Sequence, residues 1–415
     1  MSLLPATVDH SSLDLFEKVS LLEQIQWSNE QQTFPTNSLN EASIEFQLET
    51  DRNIFIDLQE IYIYLKIRMK NGLREIGEDD EAAFVNNIMH SLFSNCEVYF
   101  NNEQVYTSNG LYAHKALIST EFSGTKGVKD SISYCHGYQY EPTPGDFDTE
   151  PIAKRFLNIS GEILPYYGKL AVDLFTCEKL LLPNTSVRIR LVRSRPNFYV
   201  LGNPEDNIHA EIIEASLFTR QVAVDDKSMR KIQQNLLREP ARYNFSEVLG
   251  KTFIIPNGQN QIIQENIFNN APIRRLALAM NTNTAFTGSR DSNPFHYQKF
   301  GLREIKIVRG NQVVVHIDTS NNIRTYVTTM KALKFEEDGP GIPLDDYTNH
   351  YVLVFDLTST QESNVQMFYP DVVGAGLRVE LYFSEMLRNT VEVIVLGERL
   401  STVFIDKNGS VVKNG

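Results

Sequence analysis

The stretch IFIDLQEIYIYLKIRM, residues 54 to 69, alternates apolar and polar side chains over most of its length. A period of two over so long a run marks a strand whose two faces meet different surroundings. The pattern returns in SIEFQL (43–48), CEVYF (96–100), YGKLAVDLF (167–175), VRIRLV (187–192) and AEIIEASLFTRQVAV (210–224). It continues in KTFIIP (251–256), RRLALAM (274–280), REIKIV (303–308), HYVLVFDL (350–357), LRVELYF (377–383) and VEVIVLGE (391–398). Clusters of Asn, Gly and Pro bound these runs and no βαβ rhythm separates them, so the expected class is all-β with antiparallel sheets.

The second half of the chain restates the first. Val187, Arg188, Ile189 and Leu191 fall over Leu377, Arg378, Val379 and Leu381, and AEII (210–213) falls over VEVI (391–394). Upstream, VDLF (172–175) matches FDLT (355–358), and the turn and return NNEQVY (101–106) matches RGNQVV (309–314). Order is kept while spacing drifts, as it does when strands persist and loops change length. Two tandem eight-stranded sandwiches follow, and the long strands and long connections favour jelly rolls over compact immunoglobulin modules. In the last pair, Leu377, Val379 and Leu381 are expected to point into the second core, with Arg378 and Glu380 facing out.

Helical patterning is confined to SLDLFEKVSLLEQIQW (12–27), GLYAHKALIST (110–120) and DDKSMRKIQQNLLREPARY (225–243). The first is equally compatible with an extended arm. The third opens with acids, carries Met229, Ile232 and Leu236 on one stripe and stops at Pro240, which makes it the expected linker. The expected organisation is therefore an N-terminal arm (1–40), a first jelly roll (41–224), a linker with a helix (225–247), a second jelly roll (248–405) and a C-terminal tail (406–415).

A chain of 415 residues exceeds the roughly 250–300 at which single cores stop growing. The net charge of −13 argues against a surface that grips nucleic acid in bulk. Cys96, Cys135 and Cys177 are widely spaced and form no CxxC pair, so neither a zinc knuckle nor a disulfide framework is expected. The opening MSLLPATVDH lacks a basic and then apolar leader, and no apolar run approaches the ~18 residues of a membrane span. A soluble intracellular protein without a signal peptide is expected.

Chemistry is hard to place. The eight histidines, His10, His90, His114, His136, His209, His296, His316 and His350, form neither HxH nor HExxH. No GxSxG elbow, P-loop or GxGxxG is present, and the acidic loop EEDGPGIPLDDY (336–347) does not have the spacing of an EF-hand. Arg188, Arg190, Arg193 and Arg195 form the densest basic run, and the first two are expected to face solvent or acids on a neighbouring strand. No catalytic, cofactor-binding or metal-binding residue is assigned, and no cofactor is expected. A structural or binding role leads, with a carbohydrate-binding or adhesion protein of two β-sandwiches as the alternative.

Seven segments carry a further resemblance: SLDLFEK (12–18), NNIMHSLFSNCEVYFNNEQVY (86–106), LLPNTSVRIRLVRS (181–194), KTFIIPNGQNQIIQENIF (251–268), NTAFTGSRDSNPF (283–295), LDDYTNHYVLVFDLT (344–358) and LRVELYFSEMLRNTVEVIVLGE (377–398). Together they resemble the major capsid proteins of Maverick or Polinton transposons and of adintoviruses, in order and over nearly the whole chain. The resemblance implies a hexon-like double jelly roll and a homotrimer whose six barrels form a pseudo-hexagonal capsomer. It implies an icosahedral shell around a double-stranded DNA genome, with neighbouring capsomers and a minor (penton) capsid protein as partners. It implies neither a membrane span nor direct sequence-specific nucleic-acid binding. On this reading Leu13, Leu15, Phe16, Val19 and Leu22 form an apolar arm that packs on a neighbouring subunit or minor protein. Loops 107–166 and 316–348 build the trimer interface and the outer surface.

Overall fold

A computed structural model describes residues 25–77, 80, 82–147, 162–334, 339–359, 361, 363 and 376–414. Its first half contains β1 (Ile25–Thr33), β2 (Ser43–Leu48), β3 (Ile54–Asn71), β4 (Arg74–Glu75), β5 (Ala82–Phe84) and β6 (Phe93–Phe100). There follow β7 (Glu103–Thr107), β8 (Leu164–Lys169), β9 (Val187–Arg193), β10 (Val200–Gly202) and β11 (Ile208–Val224). The second half contains β12 (Ala241–Ile255), β13 (Gln261–Gln264), β14 (Arg275–Thr282), β15 (Leu302–Arg309), β16 (Gln312–Asp318), β17 (Val352–Asp356), β18 (Leu377–Phe383), β19 (Val391–Ile405) and β20 (Val411–Asn414). Three longer helices are α1 (Tyr112–Ser123), α2 (Asp226–Leu236) and α3 (Asn322–Leu333).

Among the described residues, and without the short β4, β5, β10 and β20, each half has eight strands, and the two halves pair them identically. The first half forms sheets β1-β11-β3-β8 and β2-β9-β6-β7; the second forms β12-β19-β14-β17 and β13-β18-β15-β16. In both, the order is first, eighth, third, sixth in one sheet and second, seventh, fourth, fifth in the other, all antiparallel. This is the jelly-roll order, written twice. Three of the four matches read from the sequence lie on equivalent strands, β9 over β18, β11 over β19 and the β6–β7 hairpin over β15–β16; the fourth does not, because VDLF (172–175) is a turn after β8 while FDLT (355–358) begins at the end of β17.

The cores follow the alternation. Val187, Ile189 and Leu191 of β9 and Leu377, Val379 and Leu381 of β18 are all buried. On the outward side of β9, Arg190 pairs with Glu45 of β2 at 3.2 Å and with Glu97 of β6 at 3.3 Å, while Arg188 stacks 4.1 Å over Tyr99. The two arginines thus meet cross-strand partners. Glu380 departs from its expected exposure. It points away from the core, yet the Arg378 guanidinium at 2.8 Å and the Tyr382 hydroxyl at 2.9 Å cover it until it is buried.

Several elements differ from the alternation-based expectation. YGKLAVDLF is a strand only as far as Lys169; Asp173–Thr176 is a 3-10 turn, because the Asp173 carboxylate is drawn into the junction with the second half. Ile25–Trp27, read as the end of a helix, opens β1; the rest of that segment, with the apolar arm residues, lies outside the described residues. Strands also occur inside the expected arm (β1), linker (β12) and tail (β20). The short strands β13 and β20 lack a strong periodic signal, whereas α3 carries Ile323, Tyr326, Val327 and Met330 at helical spacing inside a segment read only as a loop. For α2 the reading agrees: Asp225 caps it, accepting from the backbone N–H groups of Lys227 and Ser228.

Candidate assembly faces

The two sandwiches meet along an extensive internal junction, and its construction is one-sided. The first sandwich contributes the helix after its fifth strand, α1, together with the turn after β8. The second contributes its first strand, β12, and the outer face of the sheet β12-β19-β14-β17. The Tyr243 hydroxyl of β12 accepts from the Leu182 backbone N–H at 3.0 Å and donates to the Leu180 carbonyl at 3.3 Å. The Val248 N–H donates to the Asp173 carboxylate at 2.8 Å, and Asp173 is also paired with Lys115 of α1 at 2.5 Å. Burial raises the Asp173 pKa above the ordinary carboxylate value, against the pull of Lys115. Gly250 makes room for the helix here: a Cβ would lie 2.6 Å from Leu111 Cδ1 at the start of α1, so the leucine side chain would have to turn aside.

Lys115, Ile118, Ser119 and Phe122 of α1 face Val248, Ala277, Val354 and Leu396 of the second sandwich, leaving a cavity of about 170 Å³. Val391–Gly397 of β19 is thereby buried on both faces, and Val352–Phe355 of β17 is too, there with α3 of its own sandwich packed along it through Thr329. At one end of the junction His114 bonds the Tyr297 hydroxyl at 3.0 Å and stacks on Phe286 at 5.1 Å. At that junction too, the long loops meet each other: Tyr140 donates to Asp346 at 2.6 Å, and Lys129 donates to the Pro340 carbonyl at 2.6 Å. At the other end Asn101 donates to the Gly409 carbonyl at 2.8 Å.

Among the described residues, the equivalent elements on the other flanks are largely exposed. In the first sandwich, β1 is exposed along eight of its nine residues, with Ile25 and Trp27 at 49% and 44% exposure. The outer face of β3 and β8 keeps its alternation and carries a half-exposed aromatic patch, in which Tyr62 stacks on Tyr167 at 5.2 Å and Tyr167 meets Phe218 edge-on. In the second sandwich, α3 buries Thr325, Thr329, Met330 and Ala332 but leaves Ile323 and Val327 at 58% and 42% exposure. Val313 of β16 is exposed as well. Sequence reading named loop 316–348, which holds α3, and loop 107–166, which holds α1, but not the exposed sheet face of the first sandwich, because that signal lies in a comparison of burial between equivalent elements.

Among the described residues no helix is long and apolar enough to cross a membrane, and no group of three or more His, Cys, Asp or Glu side chains is placed to hold a metal ion. The cysteines are unpaired, with Cys96 and Cys177 buried and Cys135 exposed.

The structural neighbours match over the full length. A chain of the Sputnik virophage structure superposes with a TM-score of 0.65 at 11% identity, covering 100% of this chain and 93% of that one. The fold is the double jelly roll. The mavirus major capsid protein shares it with a TM-score of 0.55 at 9% identity, over 98% of this chain and 93% of that one. The Faustovirus major capsid protein does so at 0.57 and 8%, over 91% and 90%. No family model matches the sequence. Among curated proteins, an uncharacterized protein of Caenorhabditis elegans, F54H12.2, is 22% identical over 311 residues, 71% of this chain and 73% of its own length.

Proposed function

We propose that this double jelly roll is a major capsid protein of the Maverick/Polinton and adintovirus type, forming homotrimeric capsomers that tile a shell around a double-stranded DNA genome. The observation that carries the reading is the mismatch between covered and bare equivalents. Inside one chain, the flank of the first sandwich that holds α1 covers the β12 sheet of the second. Among the described residues, nothing covers the outward side of α3 that carries Ile323 and Val327 on the second, or the outer face of the β1 sheet of the first. Repeating the internal contact between chains sets α3 of one copy on the β1-β11-β3-β8 face of the next. That contact is head-to-tail, and such contacts close into rings when the rotation allows. If each sandwich turns by about one sixth of a circle relative to its neighbour, three chains close a ring of six sandwiches.

The capsid neighbours share the double jelly-roll fold at 8–11% identity, and the seven resembling segments point to the transposon and adintovirus group. The shell role also gives the lateral sides of the ring to neighbouring capsomers and the vertices to a minor (penton) protein, and it places the protein in the virion. Native mass spectrometry of the purified protein tests the reading. Trimers are expected for the wild type and monomers for the double variant Ile323→Glu/Val327→Glu. A wild-type protein that stays monomeric at all concentrations, or a double variant that still forms trimers, would defeat it.

A further inference from the structure

We propose that His350 is a proton-operated clamp between the two jelly rolls, holding them together when its ring is doubly protonated and loosening the junction when it loses one proton. The residue lies just before β17 in the second sandwich and is 0% exposed. Both its ring nitrogens face acceptors that belong to the first sandwich. Nδ1 stands 3.3 Å from the Glu121 carboxylate at the end of α1, and Nε2 stands 2.6 Å from the Glu141 carbonyl.

A neutral imidazole carries one N–H and one lone pair, so it can satisfy only one of these two acceptors and must turn its lone pair on the other. The imidazolium donates to both. Its charge is then matched by a carboxylate that is itself almost fully buried. An ion pair of this kind contributes little while whole but is costly to break from one side. Removing the proton does that: it leaves the Glu121 charge buried and turns one ring contact into a clash of lone pairs.

The surroundings agree with this assignment. The Tyr140 ring stacks on His350 at 5.6 Å, with its hydroxyl engaged by Asp346. Glu141 is held by Asn293 through its carboxylate, and it faces His350 through its carbonyl. The neighbouring His296 is driven by burial, and by His350, down to about 4, so it is neutral and adds no competing charge. Burial by itself would lower the pKa of His350, but Glu121, by charge and hydrogen bond, and then Glu141 overturn it, and the net direction is upward. Lys129, which donates to the Glu121 and Pro340 carbonyls, is the other cation nearby; burial lowers it to about 8.

The sign follows from linkage. A histidine whose folded pKa is raised contributes its full stabilisation below its unfolded value of about 6.5, and that contribution is lost as pH rises through the folded pKa. Lys129 has the opposite sign: its depressed folded pKa makes the folded state gain as pH rises from about 8 toward the ordinary lysine value. The clamp therefore opens on mild alkalinisation, in a window that begins near 6.5. No other described histidine joins the two sandwiches through both ring nitrogens.

Deuterium exchange at the histidine C2 position, followed by mass spectrometry on the unmodified full-length protein across pH 5 to 9, reads the His350 pKa directly. A midpoint above 6.5 is expected, and a midpoint below 6.5 overturns the proposal. The second measurement is the pH dependence of thermal unfolding for the wild type and for Glu121→Gln and His350→Gln. The wild type should lose stability between pH 6.5 and 8, with both variants flatter across that interval. Equal slopes in all three would overturn the proposal, as would a wild type that gains stability over the same interval.

Discussion

At the scale of single residues, the junction and the cores are tuned by charges that have been given partners. Glu247 of β12 is buried, yet Arg399 at 2.8 Å, the Ser401 hydroxyl at 2.6 Å and the Lys413 ammonium surround its carboxylate. Burial alone would raise its pKa; the cations and the hydroxyl win, and it is lowered below the ordinary value. Its contribution is thus present above the unfolded pKa of about 4.3 and lost as pH falls through the folded one. Glu247→Gln leaves two cations without a counter-charge and is expected to cost about 3–5 kcal/mol by denaturant unfolding. The same variant should lose stability less steeply than the wild type below pH 4.5. At Gly250 the constraint is space: Gly250→Val drives a branched side chain into Leu111 and is expected to cost about 1–3 kcal/mol, read as a lower unfolding midpoint.

At the scale of elements, the same strand or helix in the two sandwiches has been put to different uses. α1 is buried over most of its surface, because one side packs on its own sandwich and the other on the second. α3 packs chiefly on its own sandwich and reaches the junction only through Leu333 at its end, so Ile323 and Val327 stay outside. Exposed positions tolerate change: Ile323→Glu/Val327→Glu is expected to alter the chain's own stability by no more than about 0.5 kcal/mol while abolishing association. Thermal unfolding checks the first half of that statement and native mass spectrometry the second. For α2, the capping contact of Asp225 makes Asp225→Ala cost about 1 kcal/mol, visible in the same unfolding assay.

At the scale of the whole molecule, the two jelly rolls behave as one body because the junction is packed like a core. Phe122 is 1% exposed although it lies on a connecting helix, and it shares the α1 cavity with the second sandwich. Its replacement by alanine is expected to cost about 3–5 kcal/mol. The single cooperative unfolding transition expected of the wild type should then separate into two in calorimetry. Negative-stain images of the wild type should show threefold, nearly hexagonal particles with six lobes. Particles of another symmetry would contradict the ring of six sandwiches.

Sequence alone determined the all-β class, the duplication and the equivalence of the last strand pairs. Those depend on a side-chain period of two and on strand order, which survive when loops change. It also placed Arg188 and Arg190 correctly, since acids on neighbouring strands are reached by the pleat itself. It did not show β1, whose IQWSNEQQT is polar on both faces after Trp27, nor α3, whose apolar residues serve two different surfaces. It missed the shielding of Glu380, because a residue on the outward face of a strand is covered only by neighbours that the fold brings in. The tertiary structure decided which equivalents are covered and which are exposed, and it brought His350 to Glu121 and Glu141, each more than 200 residues away from it in the chain. Alternation states that a strand has a wet face and a dry one; only packing decides whether the wet face meets water or the flank of another sandwich.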